Sequence, residues 1–386
     1  MAPSNTDVNI RITEPGFFDE PGYYDVLARL RAEAPVYNSE PNTWLVSRYE
    51  DVRAISRDTA HFSSNRGVLI NDPARRRGAP AGSLLHMDPP EHADYRRVIG
   101  REFTPRSTGA MEQTVAAIVQ DVFDGLPRGE EIDFVHDVAM PIPVRVIADL
   151  LGVSDTELDD FHRWSDAMIE VSDNPTPETY ASAAEFWAFL QDRVAQRRTH
   201  PGDDLISMLT TTELTDEDVL MFCLSLLVAG NETTRHLLAM GTHALWAHPD
   251  QRAAAVDLHT TVEELLRWVT PIQAFGRTVT DAVDVAGTTV PAGDFVVMLY
   301  ASANRDESAF GPTADRLDVT RATSPTHVAF GFGEHNCLGA PLARLEARLA
   351  FEQLLTRFPN YEVIAGPVMT HSTLVRGAKE MKVVLQ

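Results

Sequence analysis

Apolar and polar positions alternate along this chain with a mostly helical period. Residues 21–34 predict a helix on which Tyr24, Val26, Leu27 and Leu30 share a stripe. Residues 43–47 predict a short strand, and 49–56 a second helix. Further helices are predicted over 110–126, 142–151, 156–171 and 177–198, with Asn174 and Pro175 marking the turn between the last two. Thr215-Asp216-Glu217-Asp218 reads as a capping box with Asp in place of the usual Glu or Gln. An apolar run follows it, and helical character continues to about residue 248, where Pro249 ends it. That makes a helix of roughly 30 residues or more, against a globular mean of about 11–12. An apolar helix of this length has to cross the middle of the molecule. Residues 261–269 predict a helix stopped by Pro271. Strands are predicted over 274–278 and 289–300, the second with a turn or bulge at Pro291-Ala292-Gly293. A helix over 340–355 and strands over 361–364 and 382–385 complete the reading. Residues 63–85 show no period and predict a long surface loop, a feature that is often functional in compact domains. The fold class is therefore mainly α with a small β portion.

The chain has 386 residues, and 44% of them are hydrophobic, enough for a large core. No flexible linker or internal repeat divides it, so a single domain over 1–386 is expected. Two cysteines, Cys223 and Cys337, imply no disulfide framework and fit a reducing compartment. Residues 1–15 are polar and carry neither a signal-peptide core nor a membrane span, so a cytoplasmic location is expected. A net charge of −23 disfavours nucleic acid and anionic membrane as partners.

Candidate chemistry concentrates in Phe330-Gly331-Phe332-Gly333-Glu334-His335-Asn336-Cys337-Leu338-Gly339. Glycine supplies backbone conformations closed to other residues, and a thiolate offered from such a loop suits a soft metal. Taken alone, Cys337 is also compatible with a small core residue or, beside His335, with a hydrolase nucleophile. In the long helix, Ala229-Gly230-Asn231-Glu232-Thr233-Thr234 places a glycine, an acid and two threonines inside an apolar run. Such local conflict tends to mark function. Asp88-Pro89-Pro90-Glu91-His92 predicts a helix start with Asp88 as cap, and it sets His92 and Arg96 on one face. Glu264 and Arg267 lie three apart on a predicted helix.

The Cys337 loop resembles the haem-binding signature of the cytochrome P450 family, with Phe330, Gly331, Gly333, His335, Cys337 and Gly339 at the defining positions. The stretch from Asp88 to Arg97, the acid and alcohol Glu232-Thr233, and Glu264-x-x-Arg267 with Arg321 are similar to further family segments in the same order. Leu317 stands where the family usually has Phe. The resemblance implies a P450 fold with haem b between the long helix and the Cys loop. It implies Cys337 as axial iron ligand, and His92, Arg96, Arg277 and His335 as propionate contacts. Glu232 and Thr233 would deliver protons during O₂ activation. The activity implied is insertion of one oxygen atom into a C–H bond of a lipophilic small molecule, with electrons from a separate ferredoxin or flavodoxin and its reductase. By position, Leu69, Ile70, Phe222, Ser225, Val228, Ala229, Ile272, Phe275 and Leu374 are expected on the pocket wall, and the helices flanking 174–175 form a lid. Two other readings stand at this point: a haem-thiolate protein working without reductive O₂ activation, and a metal-free Cys/His hydrolase.

Overall fold

The computed structural model describes residues 10–386 apart from 15, 73, 79, 81, 174 and 175. The turn expected at Asn174-Pro175 thus lies outside the described residues. The long helix runs over Asp216–Ala247, 32 residues. It opens on the reciprocal capping box between Thr215 and Asp218, whose shorter carboxylate still reaches the Thr215 N–H at 2.9 Å. Helices Pro141–Leu150, Leu158–Asp173, Pro177–Thr199, Leu258–Val269 and Ala340–Arg357 all pack on it. Half of its residues are buried, 16 of 32, among them most of the stretch from Thr234 to Leu245.

Strands Val36–Glu40, Thr43–Val46, Phe295–Leu299, Ala274–Val279 and Phe62–Ser63 form one sheet in that order. Thr43–Val46 runs parallel to Phe295–Leu299, and the other pairs are antiparallel. A second sheet joins Glu131–Asp133, Ala378–Val384 and Glu362–Met369. The strand expected over 289–300 is two strands in two sheets. Thr288–Val290 closes a hairpin with Val283–Val285, and Gly293, at φ 87°, redirects the chain before Phe295. Residues 63–85 are not a plain surface loop. Val68 and Ile70 are buried, and Gly276 N–H donates to Val68 O at 2.7 Å, pinning the segment to the sheet. Asp88 does not cap the helix Glu91–Ile99. Its carboxylate accepts instead from Ser63 Oγ at 2.5 Å and Ser64 N–H at 2.7 Å, which ties off the base of the 63–87 loop.

Candidate active site

The Cys loop is shaped by two glycines. Gly331 and Gly333 have φ 69° and 72°, the left-handed region that favours glycine. A Cβ on Gly333 would also lie 2.3 Å from Ser56 O, so the loop rests directly on the helix Tyr49–Arg57. Gly339 differs. Its φ is −78°, and a Cβ there would meet nothing within 4 Å. No part of the protein requires glycine at 339, but a flat group lying over the loop would.

Cys337 N–H donates to Phe330 O at 2.8 Å, and the sulfur is exposed just before the helix Ala340–Arg357. The protein around the loop still raises the free thiol above its ordinary value. The backbone N–H groups of Gly339 and Ala340 and the guanidiniums of Arg96 and Arg344 act in the opposite direction. A bound metal would remove the proton outright. Cys223, by contrast, is fully buried, and burial pushes its thiol up to about 12. It is a core residue.

Four basic side chains gather beside the loop. The His92 and His335 rings are 4.1 Å apart, and Arg96 and Arg277 bear on both. Their contacts are with oxygens that carry no full charge. Arg96 donates to Asn336 O at 2.6 Å, and Arg277 to Gly276 O at 2.7 Å. His335 meets Ser64 Oγ at 3.2 Å and the backbone of Met87. Among the described residues His92 Nε2 is buried with no hydrogen-bond partner. Burial, then Arg277, His92 and Arg96, lower the His335 pKa to about 2. Burial, Arg96 and Arg277 lower that of His92, with only Asp88 opposing. Asp88 is bound to Ser63 and Ser64, so among the described residues no carboxylate hydrogen-bonds to this donor set. Together with the exposed sulfur and the open space at Gly339, it fits the carboxylates and flat face of haem.

On the central helix, Ser225 and Ala229 are exposed, and Val228, Glu232 and Thr233 are half-buried. Their spacing sets them on one face, open in the middle of an otherwise packed helix. The polar run between Gly230 and Thr234 divides by role. A Cβ on Gly230 would come 2.9 Å from Ile147, so this glycine lets two helices approach. Asn231 is fully buried and donates to Ser165 Oγ at 2.5 Å. Thr233 Oγ1 donates to Ala229 O at 2.8 Å. The Glu232 carboxylate turns toward the next turn of the helix, 3.6 Å from His236 Nε2 and 3.8 Å from Arg235 Nη2. Burial raises its pKa, but His236 and Arg235 outweigh burial and hold it below the usual carboxylate value. His236 itself is fully buried, and its ring fills the space where a Cβ on Gly377 would sit, 2.0 Å away. Sequence reasoning missed His236; its only signal is the i, i+4 spacing from Glu232.

Of the residues expected on the pocket wall, Leu69, Ile272, Phe275 and Leu374 are half-buried, as lining residues would be. Ile70 and Phe222 are corrections. Ile70 is buried among Ile12, Phe18 and Leu27, because the chain turns at Leu69, whose O accepts from Asp72 N–H at 3.2 Å. Phe222 is buried with its ring edge-on to Phe103 at 6.0 Å.

Among the described residues no helix is long and apolar enough to cross a membrane. The family model for cytochrome P450 matches residues 258–379. The chain is 37% identical over 376 residues to a vitamin D(3) 25-hydroxylase of Pseudonocardia autotrophica, covering 93% of this chain and 92% of that one. It is likewise 37% identical to an erythromycin C-12 hydroxylase of Saccharopolyspora erythraea, covering 89% of both chains. The solved structure of CYP109Q5 from Chondromyces apiculatus superposes with a TM-score of 0.85 at 36% identity, covering 98% of each chain. An exposed cysteine beside an unmatched set of bases thus lies in a chain that resembles P450 hydroxylases along nearly its whole length, and the protein belongs to the cytochrome P450 family as a monooxygenase.

Proposed function

We propose that this single-domain chain uses haem b, held between the central helix and the Cys loop, to hydroxylate a bulky lipophilic small molecule. The observation that carries this reading is the cluster of His92, Arg96, Arg277 and His335, four bases whose hydrogen-bond partners among the described residues include no carboxylate, next to the exposed Cys337. Cys337 is the iron ligand, and the backbone around Phe330, Gly331, Gly333 and Gly339 sets the surface the haem rests on. The haem, when bound, supplies the redox chemistry of O₂ activation. The chain binds, orients and moves protons. Thr233 offers a hydroxyl on the open face of the helix, and Glu232 a carboxylate one residue earlier that is kept ionised and ready to accept a proton. Leu69, Ser225, Val228, Ala229, Ile272, Phe275 and Leu374 form the wall that excludes water and orients the substrate. The names of the relatives above, acting on vitamin D(3) and erythromycin, support a substrate of sterol or macrolide size. Electrons come from a separate ferredoxin or flavodoxin with its reductase, in the cytoplasm.

The test begins with the spectrum. The reduced protein with CO is expected to show the thiolate-type Soret band and Cys337→His to lose it; retention of that band in Cys337→His defeats the assignment. With a surrogate redox pair, Thr233→Ala and Glu232→Gln should keep full haem content. Each should form less product per NAD(P)H consumed, since positioned acids and bases contribute ~10²–10⁴ in rate. Unchanged coupling removes both residues from proton delivery.

A further inference from the structure

Glu263 and Glu264 are neighbours on the helix Leu258–Val269, yet they serve different partners. Glu264 takes Arg267, with Nη2 at 2.7 Å. Glu263 turns toward the helix that follows the Cys loop. Arg344 donates to its carboxylate through Nε and Nη2, the latter at 3.0 Å. Among the described residues these are the only hydrogen bonds of the Arg344 guanidinium. His327 approaches the same carboxylate, with Nε2 3.4 Å from Oε2. Its Nδ1 accepts from Ala329 N–H at 3.1 Å, so the neutral ring carries its proton on Nε2, beside Glu263. Burial acts to raise the Glu263 pKa, but His327 and Arg344 hold it at about 2.

Both bases also lie against Phe330, the first residue of the Cys loop. The Arg344 guanidinium is 4.7 Å from the ring centroid, and the His327 ring is 5.7 Å away. Phe330 O accepts from Cys337 N–H, and the charge of Arg344 bears on Cys337 itself. The two bases are held differently. His327 is buried and tied to its own backbone. The Arg344 side chain is 38% exposed and borders a surface cavity of about 150 Å³ shared with His259, Pro325 and Arg348. Removing Glu263 therefore leaves His327 in place and gives the Arg344 guanidinium both a reason and the room to move out to water.

We propose that Glu263 is a positioning residue for electron uptake: it anchors Arg344 over Phe330, and the guanidinium so placed raises the reduction potential of the haem carried by Cys337. The inference rests on the reading of Cys337 as iron ligand given above. Groups around a metal's ligand tune the metal. The ferrous state holds one more negative charge than the ferric, so a nearby cation favours it. Loss of the Glu263 charge alone would raise the potential. A fall on removing that charge has to come from the departure of the guanidinium.

The test reads the ferric–ferrous midpoint of the haem-loaded protein by spectroelectrochemistry, with a carbon monoxide spectrum of each variant. Arg344→Ala is expected to lower the ferrous-to-ferric ratio at a fixed potential about tenfold, or about 59 mV for one electron. Glu263→Gln should lower it most of the way, although Arg344 is still present, because one amide oxygen cannot serve Arg344 Nε, Arg344 Nη2 and His327 together. Arg344→Lys keeps the charge but lacks the planar fork, and should lie between wild type and Arg344→Ala. The double variant Glu263→Gln/Arg344→Ala should fall no further than Arg344→Ala, since no guanidinium is left to lose. An unchanged or raised potential in Glu263→Gln overturns the anchor, as does a double variant below Arg344→Ala. Should Glu263→Gln not fold, Arg344→Lys carries the comparison, and a wild-type potential there overturns the proposal. Absence of the thiolate-type band from the wild-type protein would instead count against the reading of Cys337 as ligand.

Discussion

Two groups of charged side chains lie inside this protein, and they finish their hydrogen bonding differently. Around Glu264 every donor is met. Arg267 pairs with the carboxylate through Nε and Nη2, each at 2.7 Å, and sends its other protons to the carbonyls of Asn304, Ala314 and Arg316. Arg321, Ser324 Oγ and the Asp318 N–H complete the carboxylate's shell. Around His92 and His335 the balance fails: two guanidiniums and two imidazoles meet backbone oxygens and one serine hydroxyl, and among the described residues His92 Nε2 has no hydrogen-bond partner. The first group is buried throughout; in the second His92 and Arg277 are buried, and Arg96 and His335 half-buried. A buried charge has to be paired, so the first group is complete as scaffold and the second is built for an anion supplied from outside the chain.

The largest effect should come from opening the complete group. Glu264→Ala would leave Arg267 and Arg321 buried without their carboxylate, at a cost of roughly 3–5 kcal/mol. That is a large part of a typical total stability of about 5–15 kcal/mol. Urea unfolding followed by circular dichroism should show a midpoint far below wild type, if folded protein is recovered at all. A midpoint shift of under about 1 kcal/mol, the scale of a surface ion pair, would mean the group is not a scaffold.

In the incomplete group the same logic gives a different symptom. Arg277→Ala and Arg96→Ala should leave the fold in place and release haem faster to an acceptor protein. A charge-assisted hydrogen bond contributes about 1.5–3 kcal/mol, so loss rates should rise by roughly 10–100-fold. Arg163→Ala, at an exposed ion pair with Asp160 and Glu185, should match wild type. Equal rates in all three would dissolve the distinction between the two groups.

The two groups were also unequally legible in the sequence. Glu264 and Arg267 share one helical turn, so their spacing alone predicts a pair, and the capping box at Thr215 marks the start of the central helix. His92 and Arg96 were visible for the same local reason. Arg277, His335 and Arg321, which join these groups from distant segments, were legible only through the family resemblance. The strands Val36–Glu40 and Phe62–Ser63 hold few apolar residues and exist because neighbouring strands supply their hydrogen bonds. Asp88 has the right position for a helix cap, yet it is taken by Ser63 and Ser64 across the loop. Ile70 was expected on the wall because residue position was read without side-chain direction, which the sheet contact at Val68 and the turn at Leu69 fix.

A titration compares the groups without mutation. His92 and His335 are held below their ordinary values by burial and by the arginines. In the haem-free fold they stay neutral where the unfolded chain takes up protons. Stability from this source is therefore fully present above about pH 6.5, the unfolded value, and falls as pH drops below it, toward the folded value of about 2 for His335. Two bound carboxylates favour the protonated rings and cancel much of that loss. Buried His236 and His327, also held low, contribute alike to both forms. Urea midpoints of haem-free and haem-loaded protein, taken from about pH 7 to 5, should diverge, with the haem-free form falling more steeply. Parallel lines would show that no anion reaches these histidines.

The smallest effect separates charge from orientation within the incomplete group. Ser64 is buried, and among the described residues its hydroxyl is the one side-chain hydrogen-bond partner of the His335 ring, at 3.2 Å from Nε2. The Ser64 N–H stays bound to Asp88 whatever the side chain is, so Ser64→Ala removes one neutral hydrogen bond and leaves the loop base tied. Such a bond contributes about 0.5–1.5 kcal/mol. If attraction to a carboxylate aims the ring, Ser64→Ala should raise the haem-loss rate by only about 2–10-fold, well short of Arg277→Ala. If the rate rises as far as in Arg277→Ala, the ring is aimed by the scaffold, and the group binds haem because its donors are fixed in place beforehand. The contrast with Glu264 would then narrow to one point, since both groups would be rigid and only the source of the anion would differ.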